Sequence, residues 1–387
     1  MKPLRLAIVR QRYNPFGGAE RFVERALEAL RGRGVSVTLI ARRWDGPPGP
    51  DQIRCDPFHL GRVWRDAGFA ACVRRAAARE RFDLVQSHER IPGCDIYRAG
   101  DGVHATWLEQ RARVQGPFAR WAARAQPWHR YVLAAERRMF AHPALRAVIC
   151  NSPMVREDIL RRFGVPETKL HVIRNGVDLA DFHPGLRQEH RLRMRRQLDI
   201  AEDGPVFLFV GSGFERKGVG PLLAALARME NRQARLIIVG ADKRRSRFEA
   251  VAAKLGVAGR ASFLGGQRDV RPYYGMADAF VLPTLYDPMP NAALEALACG
   301  LPVITSPTSG ACDLVRPGES GFVADALDVP ELARCMDRLA RPGAAAAMSG
   351  GARAAAQPLS VEAMAGKLTA LYFRLLAPAG AAGGPAL

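Results

Sequence analysis

Two carboxylates, Asp287 and Glu295, bracket a short apolar run within the stretch YDPMPNAALEALACGLPV at residues 286–303. Pro290 suits the first turn of a helix, where a missing N–H costs nothing, and Gly300 with Pro302 stops it. The unpaired N–H groups of such a helix start, with the positive end of its dipole, make a seat for a phosphorylated group. Asp287 then falls just outside the seat, and Glu295 projects from the helix about two turns later. A phosphate seat flanked by two hydroxyl acceptors suits a nucleotide sugar, with one acid for the hexose and one for the ribose. An ordinary amphipathic helix with a solvated Glu would carry the same letters.

A second loop, GSGFERKGVG at 211–220, opens G-x-G but has Arg216 where a dinucleotide fingerprint wants its third glycine. No Gly-Lys-Ser/Thr follows at Walker spacing. The loop offers a small-residue turn followed by Arg216, able to clamp phosphate oxygens bidentately, and Lys217, a compact second charge. Together they can neutralise a diphosphate without a metal, and no D-x-D pair is present to bridge Mg²⁺. A solvated pair of surface charges is the alternative. A third loop, NPFGGAE, has Gly17 and Gly18 where a backbone must approach a ligand closely, or where a tight turn precedes a helix.

The elements that position these loops are strands alternating with helices, the pattern of βαβ units and parallel sheets. LRLAIVR, VSVTLIA, DLVQSH and RAVICN read as strands of a first series, which HVIRNGVDLADFHPG closes. The charged, irregular LRQEHRLRMRRQLDIAEDG reads as a crossing, after which PVFLFVG, ARLIIVG, ASFLGG, DAFVLP and LPVITS form a second series. SVEAMAGKLTALYFRLL reads as a closing amphipathic helix with Ser360 as its N-cap, and the tail at 377–387 as disordered. The expected architecture is α/β, with two doubly wound Rossmann-like domains at 1–180 and 181–376 facing across a cleft. Ligands in such sheets bind at the carboxyl ends of the strands.

At 387 residues the chain is too long for one ordinary core, and 48% hydrophobic with 25% charged residues is a globular composition. No apolar run approaches the ~18 residues of a membrane span. The N-terminal MKPLRLAIVR enters a strand without a signal-peptide core. Seven scattered cysteines, odd in number and never in a CxxC pair, argue for a reducing compartment and against zinc, so the cytoplasm is expected. The net charge of +19 favours anionic partners: a membrane surface, an acidic substrate or nucleic acid.

PFGGAER, IPGCDIYRAGD, FVGSGFERKGV, IIVGADK and the acidic helix occur in the order found in a known family. From about Leu4 to the last helix the chain resembles the retaining GT-B glycosyltransferases of family 4, whose hallmark is Glu-x7-Glu. More narrowly, it is similar to the lipopolysaccharide core glucosyltransferase I family, which adds glucose to an inner-core heptose.

The resemblance implies that Gly17 and Gly18 lie near the donor diphosphate and that Arg216 and Lys217 bind it. It implies Glu295 on the ribose, Asp287 facing the hexose, and the amides of Pro290–Ala292, through Asn291 and Ala292, beside sugar and phosphate. It places Asp101, in RAGDGVHATW, as a candidate catalytic aspartate that positions or deprotonates the acceptor; His88 is a further cleft candidate, with a core or surface histidine as the alternative. It also implies that the closing helix crosses back to the N-terminal domain. The expected course is departure of UDP with attack on the same face, without metal or cofactor. The first motif acid is Asp287 rather than Glu, a methylene shorter, which leaves galactose and N-acetylhexosamine beside glucose as donors.

Residues 104–138 interleave Trp107, Phe118, Trp121, Trp128 and Tyr131 with Arg111, Arg113, Arg120, Arg124 and Arg130, and acids are few. This composition suits a surface segment in an anionic headgroup layer, with a lipid A-linked oligosaccharide on the inner leaflet as acceptor. A domain helix with buried aromatics, or a groove for bases, shares the composition. A transferase of the same family acting on another glycan, a sugar-nucleotide 2-epimerase and a basic nucleic-acid-binding protein are the rivals. The last leaves Asp287, Glu295 and the glycine loops without a purpose, so no nucleic-acid partner is expected.

Overall fold

The computed structural model describes residues 3–13, 32–44 and 51–377 and divides the chain into two units. One holds the described residues up to Arg174 together with those from Val361 onward; the other is Asn175–Ser360.

The first unit is built on a seven-stranded sheet: β1 (Leu4–Tyr13), β2 (Val35–Trp44), β3 (Gln52–Arg54), β4 (Leu84–Ser87), β5 (Ile96–Arg98), β6 (Ala147–Cys150) and β7 (Leu170–Val172). All pairs are parallel, in the order β3-β2-β1-β4-β5-β6-β7. Helix α1 (Gly61–Glu80) lies between β3 and β4. Three helices, α2 (His104–Ala112), α3 (Pro117–Ala125) and α4 (Pro127–Phe140), separate β5 from β6, and α5 (Pro153–Phe163) separates β6 from β7. β4 and β6 are buried at every position, as strands covered on both faces must be.

The second unit carries a six-stranded parallel sheet ordered β10-β9-β8-β11-β12-β13. It begins with α6 (Leu186–Gln197) and continues β8 (Val206–Val210), α7 (Val219–Arg228), β9 (Arg235–Val239), α8 (Arg245–Lys254), β10 (Ala261–Gly265) and α9 (Arg271–Met276). β11 (Ala279–Leu282), α10 (Asn291–Ala298), β12 (Val303–Thr305), β13 (Gly321–Val323) and α11 (Val329–Ala340) follow. Each sheet reverses its strand order once, between β1 and β4 in the first and between β8 and β11 in the second. Those reversals part the loops above the carboxyl ends and create the crevices where such sheets bind ligands.

Three sequence expectations are corrected. The charged stretch after residue 185 is no irregular crossing. It contains α6, whose Arg187, Arg191 and Arg195, spaced one turn apart, converge on Asp278 with N–O distances of 3.2, 2.7 and 2.7 Å. Asp278 also accepts the N–H of Val206 at 2.9 Å, so this Arg-rich helix is tied to the first residue of β8. The unit boundary falls at Arg174/Asn175 rather than 180/181; the closing helix, α12 (Val361–Leu376), belongs to the first unit, in line with the expected crossing back to the N-terminal domain. Its Met364, Leu368, Leu371 and Tyr372 pack with Leu4, Leu6, Ile8 and Ile96, and Tyr372 Oη donates to Gln86 Oε1 at 2.7 Å. The cysteine reading also changes: Cys55 and Cys72 form a disulfide, because the turn from β3 into α1 brings their Cα atoms to 5.7 Å.

Candidate functional site

The loops after β8 and β11 meet at the second sheet's switch point. After β8 the chain turns through Gly218, at φ +76, where any Cβ would stand 1.9 Å from the carbonyl oxygen of Pro283. Only glycine lets the two loops approach this closely. The Phe214 N–H donates to Asp242 Oδ2 at 2.8 Å, which fixes the loop from the β9 side. From the β11 side, the Leu285 N–H and Thr284 Oγ1 both donate to the Arg216 carbonyl, at 2.8 and 3.1 Å.

These contacts aim two cations at one acid. Arg216 NH1 and Lys217 Nζ each lie 3.3 Å from Asp287 Oδ2, and Arg216 NH1 also donates to the Tyr286 carbonyl at 2.9 Å. Asp287 is buried, and its backbone is fixed by the Thr308 carbonyl and the Gly310 N–H. The expectation of an open acid just outside a phosphate seat is therefore modified: Asp287 is the counter-ion of the two cations. Two cations against one carboxylate leave positive charge for an anionic ligand.

α10 begins at Asn291, with Pro290 as its N-cap rather than inside the first turn. It ends as the sequence suggests: Gly300, at φ +73, donates to the Leu297 carbonyl, while the Leu301 N–H donates to the Ala296 carbonyl. Asn291 Oδ1 accepts from Asn175 Nδ2 at 2.7 Å. Tyr274, fully buried, donates its hydroxyl to Glu295 Oε2 at 2.7 Å and to the Ala292 carbonyl at 3.1 Å. Burial and the Glu295 charge hold the Tyr274 phenol well above its usual pKa, so it stays a donor. Sequence reading missed Tyr274, Thr284 and Asp242. Only Asp242, directly after a strand and a glycine in IIVGAD, carried a local signal.

In the first unit, Gly17 and Gly18 lie outside the described residues. The carboxyl ends of β1, β4 and β5 bring other groups together. Glu89 Oε1 accepts the Gln11 N–H at 3.0 Å, and burial with the Asp101 charge raises its pKa. His88 Nε2 lies 3.1 Å from Gln86 Nε2, and burial, with Arg10 and Arg98, keeps its imidazole neutral. Asp101 is exposed on a turn clamped from both sides. Arg90 NH2 donates to the Gly102 carbonyl at 2.9 Å, and Asn151 Nδ2 to that of Gly100 at 3.4 Å. Arg90 is itself anchored to buried Glu136 at 2.9 Å, which also accepts the His104 N–H.

The basic aromatic segment forms α2, α3 and most of α4. Phe118 and Trp121 on α3 are 79% and 66% exposed, with ring centroids 6.1 Å apart. Arg113, Arg120 and Arg130 are exposed, Arg111 and Trp107 are half-buried, and Arg124 lies on α3. Trp128 departs from the expected outward role. Its Nε1 donates to Asp66 Oδ2 at 2.8 Å and its ring packs edge-on against His104, so it joins helices instead of meeting solvent freely. Among the described residues no helix is long and apolar enough to cross a membrane, and no group of three or more His, Cys, Asp or Glu is placed to hold a metal.

Two doubly wound parallel sheets of this topology, matching a solved structure along nearly their whole length, define the GT-B fold. The chain matches Glycosyltransferase Family 4 over residues 16–181 and Glycosyl transferases group 1 over 190–349, and it belongs to these group 1/family 4 enzymes. Among its relatives, the lipopolysaccharide glucosyltransferase WaaG of Escherichia coli (strain K12) is 27% identical over 322 residues, 81% of this chain and 83% of the relative. A crystal structure of WaaG, described as involved in lipopolysaccharide biosynthesis, superposes with a TM-score of 0.80 at 24% identity, covering 95% of this chain and 99% of that one. Anabaena HepE in complex with UDP-glucose gives 0.72 at 19% identity, covering 96% and 100%.

Proposed function

We propose that this glycosyltransferase is a retaining hexosyltransferase that moves glucose from UDP-glucose to an inner-core heptose of lipopolysaccharide, at the inner face of the cytoplasmic membrane. The observation that carries the reading is the convergence of Arg216 and Lys217 on Asp287 at the second sheet's switch point. The similarity to WaaG supports the acceptor class, and the UDP-glucose complex of HepE supports the donor.

In this reading the donor diphosphate competes with Asp287 for the two cations and extends toward the start of α10. Asp287 then faces the hexose, while Glu295, oriented by Tyr274, holds the ribose. As the bond to the anomeric carbon lengthens, negative charge grows on the diphosphate, where fixed cations stabilise it most. The acceptor hydroxyl attacks the same face, and its proton leaves with the departing phosphate or through Asp101. Arg216 and Lys217 supply the charge that a metal supplies elsewhere. The exposed Phe118 and Trp121, with the arginines around them, hold the enzyme on the anionic leaflet that carries the acceptor.

Purified protein is incubated with heptose-terminated lipid A–core oligosaccharide and, separately, UDP-glucose, UDP-galactose or UDP-N-acetylglucosamine. Mass gain of one hexose from UDP-glucose with retained anomeric configuration, undiminished by EDTA, is expected. Transfer that stops on chelation and returns with Mg²⁺ would overturn the charge argument. Preference for another donor would move the assignment within the family.

A further inference from the structure

The turn from β3 into α1 exposes three large apolar side chains within seven residues: Phe58 at 74%, Leu60 at 69% and Trp64 at 49%. Glycosyl transfer makes no use of them. They are braced rather than loose. The Phe58 and Trp64 rings pack edge-to-face at 5.6 Å, and Pro57 lies so close to Gly68 of α1 that a Cβ there would stand 3.2 Å from its Cγ. His59 Nδ1 is 3.0 Å from the Pro57 carbonyl, and the Cys55–Cys72 disulfide ties the start of the turn to the same helix. Holding aromatics outward on a braced turn leaves their apolar surface in water with no internal compensation.

The turn adjoins the aromatic segment. The Arg62 guanidinium lies 5.5 Å from the Trp128 ring centroid, and Trp128 Nε1 donates to Asp66, which locks the first two turns of α1 to the first turn of α4. One residue, Gln126, separates α4 from α3 with its exposed Phe118 and Trp121. Two apolar clusters thus flank a common joint. Arg62, Arg120 and Arg130 are exposed around it, while Asp66, the acid at the joint, is occupied by Gln11, Arg65 and Trp128. Apolar rings with a cationic margin complement the interface of an anionic bilayer, where rings reach the acyl boundary and guanidinium groups meet phosphates.

We propose that Phe58, Leu60 and Trp64 form a second lipid-inserting platform that, with α3, seats this unit on an anionic bilayer at two points. The proposal rests on the membrane reading above and extends it. A single short helix can roll about its axis, whereas two joined contacts fix orientation and add avidity.

The test uses the full chain with phosphatidylcholine vesicles, with and without phosphatidylglycerol. Wild type binds the anionic vesicles, and Phe58→Ser/Leu60→Ser/Trp64→Ser loses at least about tenfold in affinity at unchanged melting temperature. In Phe118→Ser/Trp121→Ser, brominated lipid still quenches part of the tryptophan fluorescence, and adding Trp64→Phe, which keeps the apolar contact, removes that part. If wild type ignores both vesicle types, the membrane reading itself fails. If wild type binds but the triple variant binds equally, or quenching is indifferent to Trp64, the platform alone is overturned. A triple variant that changes oligomeric mass instead of vesicle affinity also overturns it, by showing a face between copies of the chain.

Discussion

Lys217 Nζ lies 3.3 Å from Asp287 Oδ2, and Arg216 reaches the same oxygen at the same distance, although the acid is 70 residues further along the chain. The acid therefore has two tasks that pull apart on mutation. It holds the cations in register, and it competes with any anion that approaches them. Asp287→Asn should lower kcat roughly a hundredfold or more while leaving UDP affinity equal or stronger, as read by steady-state kinetics and calorimetry. A large loss of UDP affinity would show that the carboxylate organises the site instead of competing for it.

Arg216→Ala and Lys217→Ala should each cut turnover by about a hundredfold or more, because each removes fixed charge from the developing diphosphate. Circular dichroism and thermal melts should remain those of wild type. Near-normal turnover in either purified variant would count against the charge-stabilised departure of UDP.

Tyr274→Phe removes the hydroxyl that donates to Glu295 at 2.7 Å while keeping the buried ring. A hydrogen bond to a charged group contributes about 1.5–3 kcal/mol, so KM for the donor should rise at least about tenfold with kcat nearly kept. If kcat falls and KM does not move, Glu295 acts on the reaction and not on ribose binding.

Glu136→Gln leaves Arg90 without its anion in a nearly closed environment, with Glu136 only 1% exposed. Breaking a buried pair costs about 3–5 kcal/mol, which thermal unfolding should register. Arg90 also holds the Gly102 carbonyl beside Asp101, so the stable fraction should show a lower kcat with little change in donor KM. An unaltered kcat at full occupancy of the fold would detach Asp101 from this support.

Asp278 is half-buried, and desolvation by itself would raise its pKa, but Arg195 and Arg191 and the Val206 N–H outweigh it and lower the pKa. Its stabilising contribution is therefore complete above the unfolded carboxylate value of about 3.9 and is lost as pH falls through the lower folded value. Asp278→Asn should cost about 3–5 kcal/mol at neutral pH, since Arg195 is fully buried. The gap to wild type in urea unfolding should shrink in acid. A gap independent of pH would mean that packing, and not charge, sets the cost.

The sequence by itself determined the α/β class and most of the strands, four of the seven in the first sheet and five of the six in the second. Strands covered on both faces read as short apolar runs, as at Ala147–Cys150, and such runs are legible residue by residue; Leu84–Ser87 buries Gln86 and Ser87 as well. Arg216, Lys217, Asp287 and Glu295 stood out as candidates because each loop directly follows a strand or opens a helix, a local relation. What the tertiary structure decided was partnership across distance. Residues 187–195 read as an irregular charged crossing, since few apolar side chains mark the helix; it buries Arg195 beside Leu186 and Met194, and that guanidinium is held by Asp278 and by the carbonyls of Met276, Ala201, Glu202 and Gly204. Cys55 and Cys72 carry no pairing signal until β3 and α1 fold together, and Tyr274 is one more core aromatic until α10 brings Glu295 to it. Periodicity records which face a residue buries, but the choice of partner for a buried charge is made by chain topology, which no local window contains.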